Sequence, residues 1–285
     1  MDTLWQRASA GAGPTEVGKA LMDQQFPVFL TKHGPAIWPV TNPTAGPPVI
    51  VVSVPKSGTY FTEALYKRMG YQGVYVHAMD MECNAWRFHE VTATKDFAPS
   101  GMKPIPITIL SRLVLPGQII VSHCGRNPEI AAALSGFKKI YLYRDLREVL
   151  VSHARANISE PIPPEHLATR VAEFCESSGN ALKNVIETVN RWRNDSEVFA
   201  VAFADLTSPD PDRQERLAAR FEGFMGWPKA AVIAALRAVP DDETPTRSEG
   251  GRSTLDGGAW DERCEAWFSE HMADVRVAPD AVLPD

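Results

Sequence analysis

Val49-Ile50-Val51-Val52-Ser53-Val54-Pro55-Lys56-Ser57-Gly58-Thr59 is the stretch on which the fold turns. Its first six residues are an almost unbroken β-branched run, the composition of a strand buried on both faces of a parallel sheet. Pro55 to Thr59 reads as a turn, and Tyr60 to Met69, closed by Gly70, reads as a helix. A strand that turns sharply into a helix aims backbone N–H groups and the helix dipole at one point, which makes an anion site. Lys56 adds a charge there, Ser57 and Thr59 add hydroxyl donors, and Gly58 lets a ligand approach the backbone closely. The lysine precedes Ser-Gly-Thr. In the nucleotide-binding pattern G-x-x-x-x-G-K-S/T it follows the second glycine, and the next hydroxyl holds Mg²⁺. Taken alone, this motif also fits a simple helix cap.

Upstream, residues 1–48 are rich in Pro, Gly and Thr and read as an irregular lead-in, with one short helix around Val17 to Gln25. Downstream, strands are expected at Gly73 to His77, Gln118 to Ser122, Lys139 to Tyr143 and Val198 to Phe203. Helices are expected from Asn127 to near Gly136, from Leu146 to Ala156, from Leu167 to Arg193, from Asp212 to Met225 and from Lys229 to Ala238. Strands alternating with helices predict right-handed βαβ units, hence one α/β domain over residues 49–285 with a central parallel sheet flanked by helices. Two long connections, Ala78 to Ile107 and Pro240 to Trp260, have the length of binding loops or lids.

Charge narrows the function. The chain carries 29 basic and 35 acidic residues, a net of −6; an acidic chain is a poor general nucleic-acid binder. From Pro240 to Asp285 there are four basic and twelve acidic residues, whereas Lys138 to Arg155 holds five basic and two acidic. Such a basic island marks either a specific anion site or a solvated helix face. The four cysteines form no C-x-x-C pair, the first residues are polar and small, and no apolar run approaches the roughly 18 residues of a membrane span. Reduced thiols, a cytoplasmic location and no membrane partner are the expectation. No His/Cys cluster has metal-ligand spacing, so no metal is expected, and no G-x-S-x-G elbow supports a serine triad.

The basic island contains the second informative stretch, Tyr141-Leu142-Tyr143-Arg144-Asp145-Leu146-Arg147-Glu148-Val149-Leu150-Val151-Ser152. Arg144 ends a strand and Ser152 lies two turns into the next helix. A guanidinium fork with a hydroxyl suits a phosphate; a surface ion pair of Arg144 with Asp145 or Glu148 is the alternative.

With both stretches in view, the chain resembles the PAPS-dependent sulfotransferases of the cytosolic type, which have a P-loop-NTPase-like architecture. Pro55 to Thr59 is similar to the family's 5′-phosphosulfate loop, and Arg144 with Ser152 to its 3′-phosphate site. Val198 to Leu206, Phe221 to Gly226 and Gly258-Ala259-Trp260 resemble later family segments in the same order, so the likeness spans about Val49 to Phe268. It implies that 3′-phosphoadenosine-5′-phosphosulfate (PAPS) is the donor and the bisphosphate PAP the product. Lys56 would meet the bridging oxygen of the phosphosulfate, with the amides of Ser57, Gly58, Thr59 and Tyr60 around the 5′-phosphate. Phe61 and Phe203 match aromatics beside adenine, and Arg144 and Ser152 would hold the 3′-phosphate. The family's Arg-Lys-Gly before the late tryptophan is replaced by Gly251-Arg252-Ser253, in which Arg252 stands out of register as a further 3′-phosphate ligand. Val121 replaces the family's lysine two residues before the catalytic histidine. The short dimerisation motif of some members is missing, and a homodimer is left open.

Transfer of a sulfuryl group to a hydroxyl needs a base, for which histidine suits neutral pH. His123 follows the strand Gln118 to Ser122, at the sheet end where α/β ligands bind; it also matches the family's base. His77 is the second choice, and His33, His89 and His153 have weaker cases. The expected activity is an in-line, metal-independent transfer from PAPS to the hydroxyl of a small acceptor lying under loops 78–107 and 240–260, where Trp86, Phe88, Phe97 and Leu255 suggest partly apolar surroundings. The alternatives are a P-loop small-molecule kinase using ATP, and a non-catalytic nucleotide-binding module.

Overall fold

The computed structural model describes residues 28–31, 34–37, 46–78, 85–88, 102–104, 107–157, 163–241, 255 and 258–280. The chain divides into two compact units, residues 1–43 and 44–285. The described part of the first is an antiparallel hairpin, β1 (Val28–Thr31) paired with β2 (Gly34–Ile37), with Val28 opposite Ile37. The lead-in therefore holds strand pairing where only irregular chain was expected. The helix expected at Val17 to Gln25 lies outside the described residues.

The second unit is built on a seven-stranded sheet. Its strands are β3 (Val49–Ser53), β4 (Gln72–Ala78), β5 (Ala85–Phe88), β6 (Met102–Pro104), β7 (Gln118–Ser122), β8 (Lys138–Tyr143) and β9 (Val198–Ala202), in the order β6-β5-β4-β7-β3-β8-β9. The five strands β4-β7-β3-β8-β9 are parallel, as the β-branched runs predict. Two antiparallel strands, β5 and β6, extend one edge inside what reads from sequence as a loop. The fold is thus α/β with a central parallel sheet flanked by helices.

The helices are α1 (Thr59–Arg68), α2 (Ile107–Leu113), α3 (Pro128–Ala133), α4 (Leu146–Asn157), α5 (Leu167–Val189), α6 (Phe203–Leu206), α7 (Pro211–Met225), α8 (Lys229–Ala238) and α9 (Glu262–His271). Sheet residues alternate between two faces. Val49, Val51, Ile119, Val121, Ile140, Leu142 and Val201 pack with Leu65 and Tyr66 of α1, Leu217 and Phe221 of α7, and Val232 and Leu236 of α8. Tyr141 points the other way, and its hydroxyl reaches Asn190 Oδ1 (2.6 Å) just beyond α5. All of β3 is inaccessible to solvent, as befits the middle of a sheet covered on both sides.

This topology makes β3 a switch point of the sheet. β3 lies between β7 and β8, with Val52 level with both Ser122 and Tyr141. The helix after β3 packs on one face, and the helix after β8 leads to the other. Loops that leave neighbouring strands in opposite directions open a cleft at the carboxyl ends of the strands, where ligands of doubly wound sheets bind.

Candidate active site

The turn after β3 has an unusual backbone. Lys56 has φ +63 and Gly58 φ +91, and Lys56 is the one described non-glycine residue with positive φ. The turn is closed by Ser57 N–H donating to Val54 O (3.1 Å), while Val54 N–H donates across to Leu142 O (3.0 Å) on β8. Position 58 requires glycine twice over, because its φ is left-handed and because a Cβ there would overlap the ring of Phe203. α1 then starts at Thr59 with no side-chain cap, so no side chain of the cap residue satisfies its first amides.

Ser57 Oγ is fully buried and makes no hydrogen bond. Thr59, expected to offer its hydroxyl to the ligand, turns it inward to Ser53 Oγ (2.7 Å). Tyr60 packs its ring into the core. Lys56 is half-buried, and burial lowers its pKa below the usual lysine range.

His123 stands at the carboxyl end of β7. Its Nδ1 lies 2.7 Å from Ser53 O and 3.1 Å from Ser53 Oγ. A carbonyl oxygen only accepts, so Nδ1 carries the proton and Nε2 is the basic nitrogen. Burial pushes the His123 pKa down to about 4; the Ser53 hydrogen bond opposes that shift and the charge of Lys56 adds to it. The imidazole is therefore neutral at pH 7, the state a proton acceptor needs.

Arg144, at the end of β8, is nearly buried at 9% exposure. Its Nε donates to Glu148 Oε2 (2.6 Å), its Nη1 to Lys56 O (3.3 Å), and its guanidinium lies 4.7 Å from the centre of the Phe203 ring. The pairing with Glu148 considered from sequence does occur, in a buried setting rather than on the surface. Phe61 meets Phe203 edge-on, with centroids 6.1 Å apart. Lys56, Gly58, Phe61, Arg144 and Phe203 thus form one contiguous patch. Ser152 is half-buried in α4, two turns beyond Arg144.

His153, given little weight from sequence, belongs here. Its ring stacks on Phe174 of α5 (5.5 Å, 19°). Burial, then the fields of Lys56 and His123, push its pKa down to about 4. His153 of α4 therefore lies within the electrostatic reach of Lys56 and His123. Only its place next to Ser152 could have signalled this.

The late Gly-Ala-Trp segment braces α4. Trp260 Nε1 donates to Glu265 Oε2 (2.8 Å), and Glu265 accepts two hydrogen bonds from Arg147 (2.9 and 2.6 Å). Those bonds hold the Glu265 carboxyl at about 2.

Other expectations fall elsewhere. His77 lies on β4 with Val121 as its Cα partner. Arg252, His33, His89, Phe97 and most of the two long loops lie outside the described residues, and of Trp86 and Phe88 only the backbone, in β5, is described. Among the described residues, no helix is long and apolar enough to cross a membrane.

Among solved structures, the chain is similar to mouse sulfotransferase SULT7A1 complexed with PAP, at 13% identity and a TM-score of 0.49, covering 82% of this chain and 86% of that one. It is also similar to retinol dehydratase in a complex with retinol and PAP, at 16% identity and a TM-score of 0.47, covering 96% and 97%. No protein-family profile and no curated protein sequence matches the chain.

Proposed function

We propose that this protein is a sulfotransferase that moves a sulfuryl group from PAPS to a hydroxyl of a small-molecule acceptor. One observation carries this reading: two cationic residues, Lys56 and Arg144, follow adjacent strands at their carboxyl ends, joined through the Lys56 carbonyl, with Phe203 under the guanidinium and against Gly58. That spacing of anion site, aromatic face and second anion site suits a nucleoside phosphorylated at both 5′ and 3′ positions. The unpartnered Ser57 hydroxyl and the α1 amides fit a phosphosulfate, since a buried polar atom left unpaired costs free energy until a ligand satisfies it.

In this reaction His123 Nε2 takes the proton of the acceptor hydroxyl as that oxygen attacks sulfur. The new O–S bond forms as the bond from sulfur to the bridging phosphate oxygen breaks. The electron pair of that bond goes to the phosphate, where Lys56 offsets the developing charge. The kinase alternative is disfavoured by Thr59: the hydroxyl nearest the place of the Mg²⁺ ligand is bonded to Ser53.

The test is incubation with PAPS and a panel of hydroxyl acceptors, with products read by mass, alongside calorimetry of PAP and ATP·Mg²⁺. Sulfated product and a preference for PAP are expected. Tighter binding of ATP·Mg²⁺ refutes the reading, and PAP binding without any product supports a non-catalytic module.

A further inference from the structure

The left-handed backbone of Lys56 is disfavoured for a residue with a side chain, so neighbouring contacts must hold it. One such contact is direct: the carbonyl of Lys56 itself accepts from Arg144 Nη1 at 3.3 Å. Arg144 is in turn anchored at its other edge, where Nε donates to Glu148 Oε2 at 2.6 Å, with 9% and 19% of the two side chains exposed. Glu148 sits in the first turn of α4, where a carboxylate is favoured by the helix dipole. Phe203 completes the arrangement, under the guanidinium on one side and against Gly58 on the other.

We propose that Glu148 is a positioning residue for the Lys56 loop: by gripping Arg144 Nε it aims the guanidinium at the Lys56 carbonyl and fixes the turn that presents the lysine to the donor. The inference rests on the reading that Lys56 and Arg144 serve the two ends of PAPS. It carries a sign that electrostatics alone does not give. A carboxylate beside an anion site repels the ligand, so its removal by itself tightens anion binding. If Glu148 instead orients the site, its removal weakens binding at both ends, including that of a nucleotide with no 3′-phosphate.

The experiment uses the full chain with Glu148→Leu, Glu148→Gln and Arg144→Lys. Amide hydrogen exchange of residues 55–59 is followed without ligand, and calorimetry is run with PAP and with 5′-AMP. Glu148→Leu is expected to speed exchange of the loop by about tenfold or more, to weaken PAP by at least about tenfold, the worth of a hydrogen bond to a charged group, and to weaken 5′-AMP several-fold. Glu148→Gln keeps an oxygen for Nε and is expected to stay within about threefold of wild type on all three readouts. Arg144→Lys keeps the charge but cannot grip Glu148 and Lys56 as a fork, so its loop exchange rises as in Glu148→Leu, which tests the idea even if the leucine variant folds poorly. Unchanged loop exchange in both Glu148→Leu and Arg144→Lys overturns the proposal, as does PAP binding that tightens in Glu148→Leu. A wild type that does not prefer PAP to 5′-AMP instead refutes the functional reading, while loop exchange still tests the positioning.

Discussion

Ser57→Ala separates a residue kept for a ligand from one kept for the fold, because the two roles give opposite signs. The Ser57 hydroxyl is inaccessible to solvent and has no hydrogen-bond partner in the free protein. A buried hydroxyl without a partner costs about 1–3 kcal/mol. Alanine removes that cost and leaves only an atom-sized void, so the ligand-free variant should be more stable by roughly 0.5–2 kcal/mol. At about 2–4 °C per kcal/mol for a chain of this size, that is a rise of a few degrees in Tm. Donor binding should move the other way. A hydroxyl donating to a charged phosphate oxygen is worth about 1.5–3 kcal/mol, so the variant should bind PAP roughly 10–150-fold more weakly. Denaturant unfolding without ligand and calorimetry with PAP measure the two quantities on one preparation. A Ser57→Ala protein that loses 1 kcal/mol or more of stability yet binds PAP as wild type does would refute the reasoning, because the hydroxyl would then be structural.

Three further outcomes are expected. His123→Ala should lower kcat by roughly 10²–10⁴-fold while PAP affinity holds, since a base acts on the transition state more than on the bound nucleotide; near-normal turnover in product assays would reassign the base. Arg144→Ala should weaken PAP by about 1.5–3 kcal/mol and also weaken adenosine 5′-phosphosulfate, because the same side chain holds the Lys56 carbonyl; calorimetry showing the second ligand untouched would leave Arg144 only a 3′-phosphate role. For pH, burial lowers the folded-state pKa of His123 and His153 from 6.5 to about 4, so the unfolded chain binds more protons between those values. Their contribution is present in full above pH 6.5 and is lost as pH falls toward 4; urea titrations should show that loss, reduced in His123→Asn/His153→Asn, and an unreduced loss would assign the acid sensitivity to other groups.

What the sequence made legible follows from which forces are local. Val49 to Ser53 reads as a buried strand because each side chain alone has the shape and polarity for burial on both faces, and β7, β8 and β9 share enough of that character to be placed. β5 and β6 escape such a reading: Ala85-Trp86-Arg87-Phe88 and Met102-Lys103-Pro104 are short, and antiparallel pairing at an edge imposes no continuous apolar run. α2 hides for the opposite reason, since it opens with Ile107-Thr108-Ile109, a β-branched run of modest intrinsic helix propensity. The same division runs through the site. Lys56, His123 and Arg144 each stand at a strand end, a position that can be counted along the chain. Their links cannot be counted: the grip of Glu148 on Arg144, the turn of Thr59 toward Ser53 and the stacking of His153 on Phe174 depend on side-chain directions and on how α4 lies against the sheet. Contacts of this kind fix geometry rather than composition. They also tie Lys56 to Arg144, because a loop lysine in a disfavoured backbone conformation presents its ammonium in a fixed direction only while its own carbonyl is held.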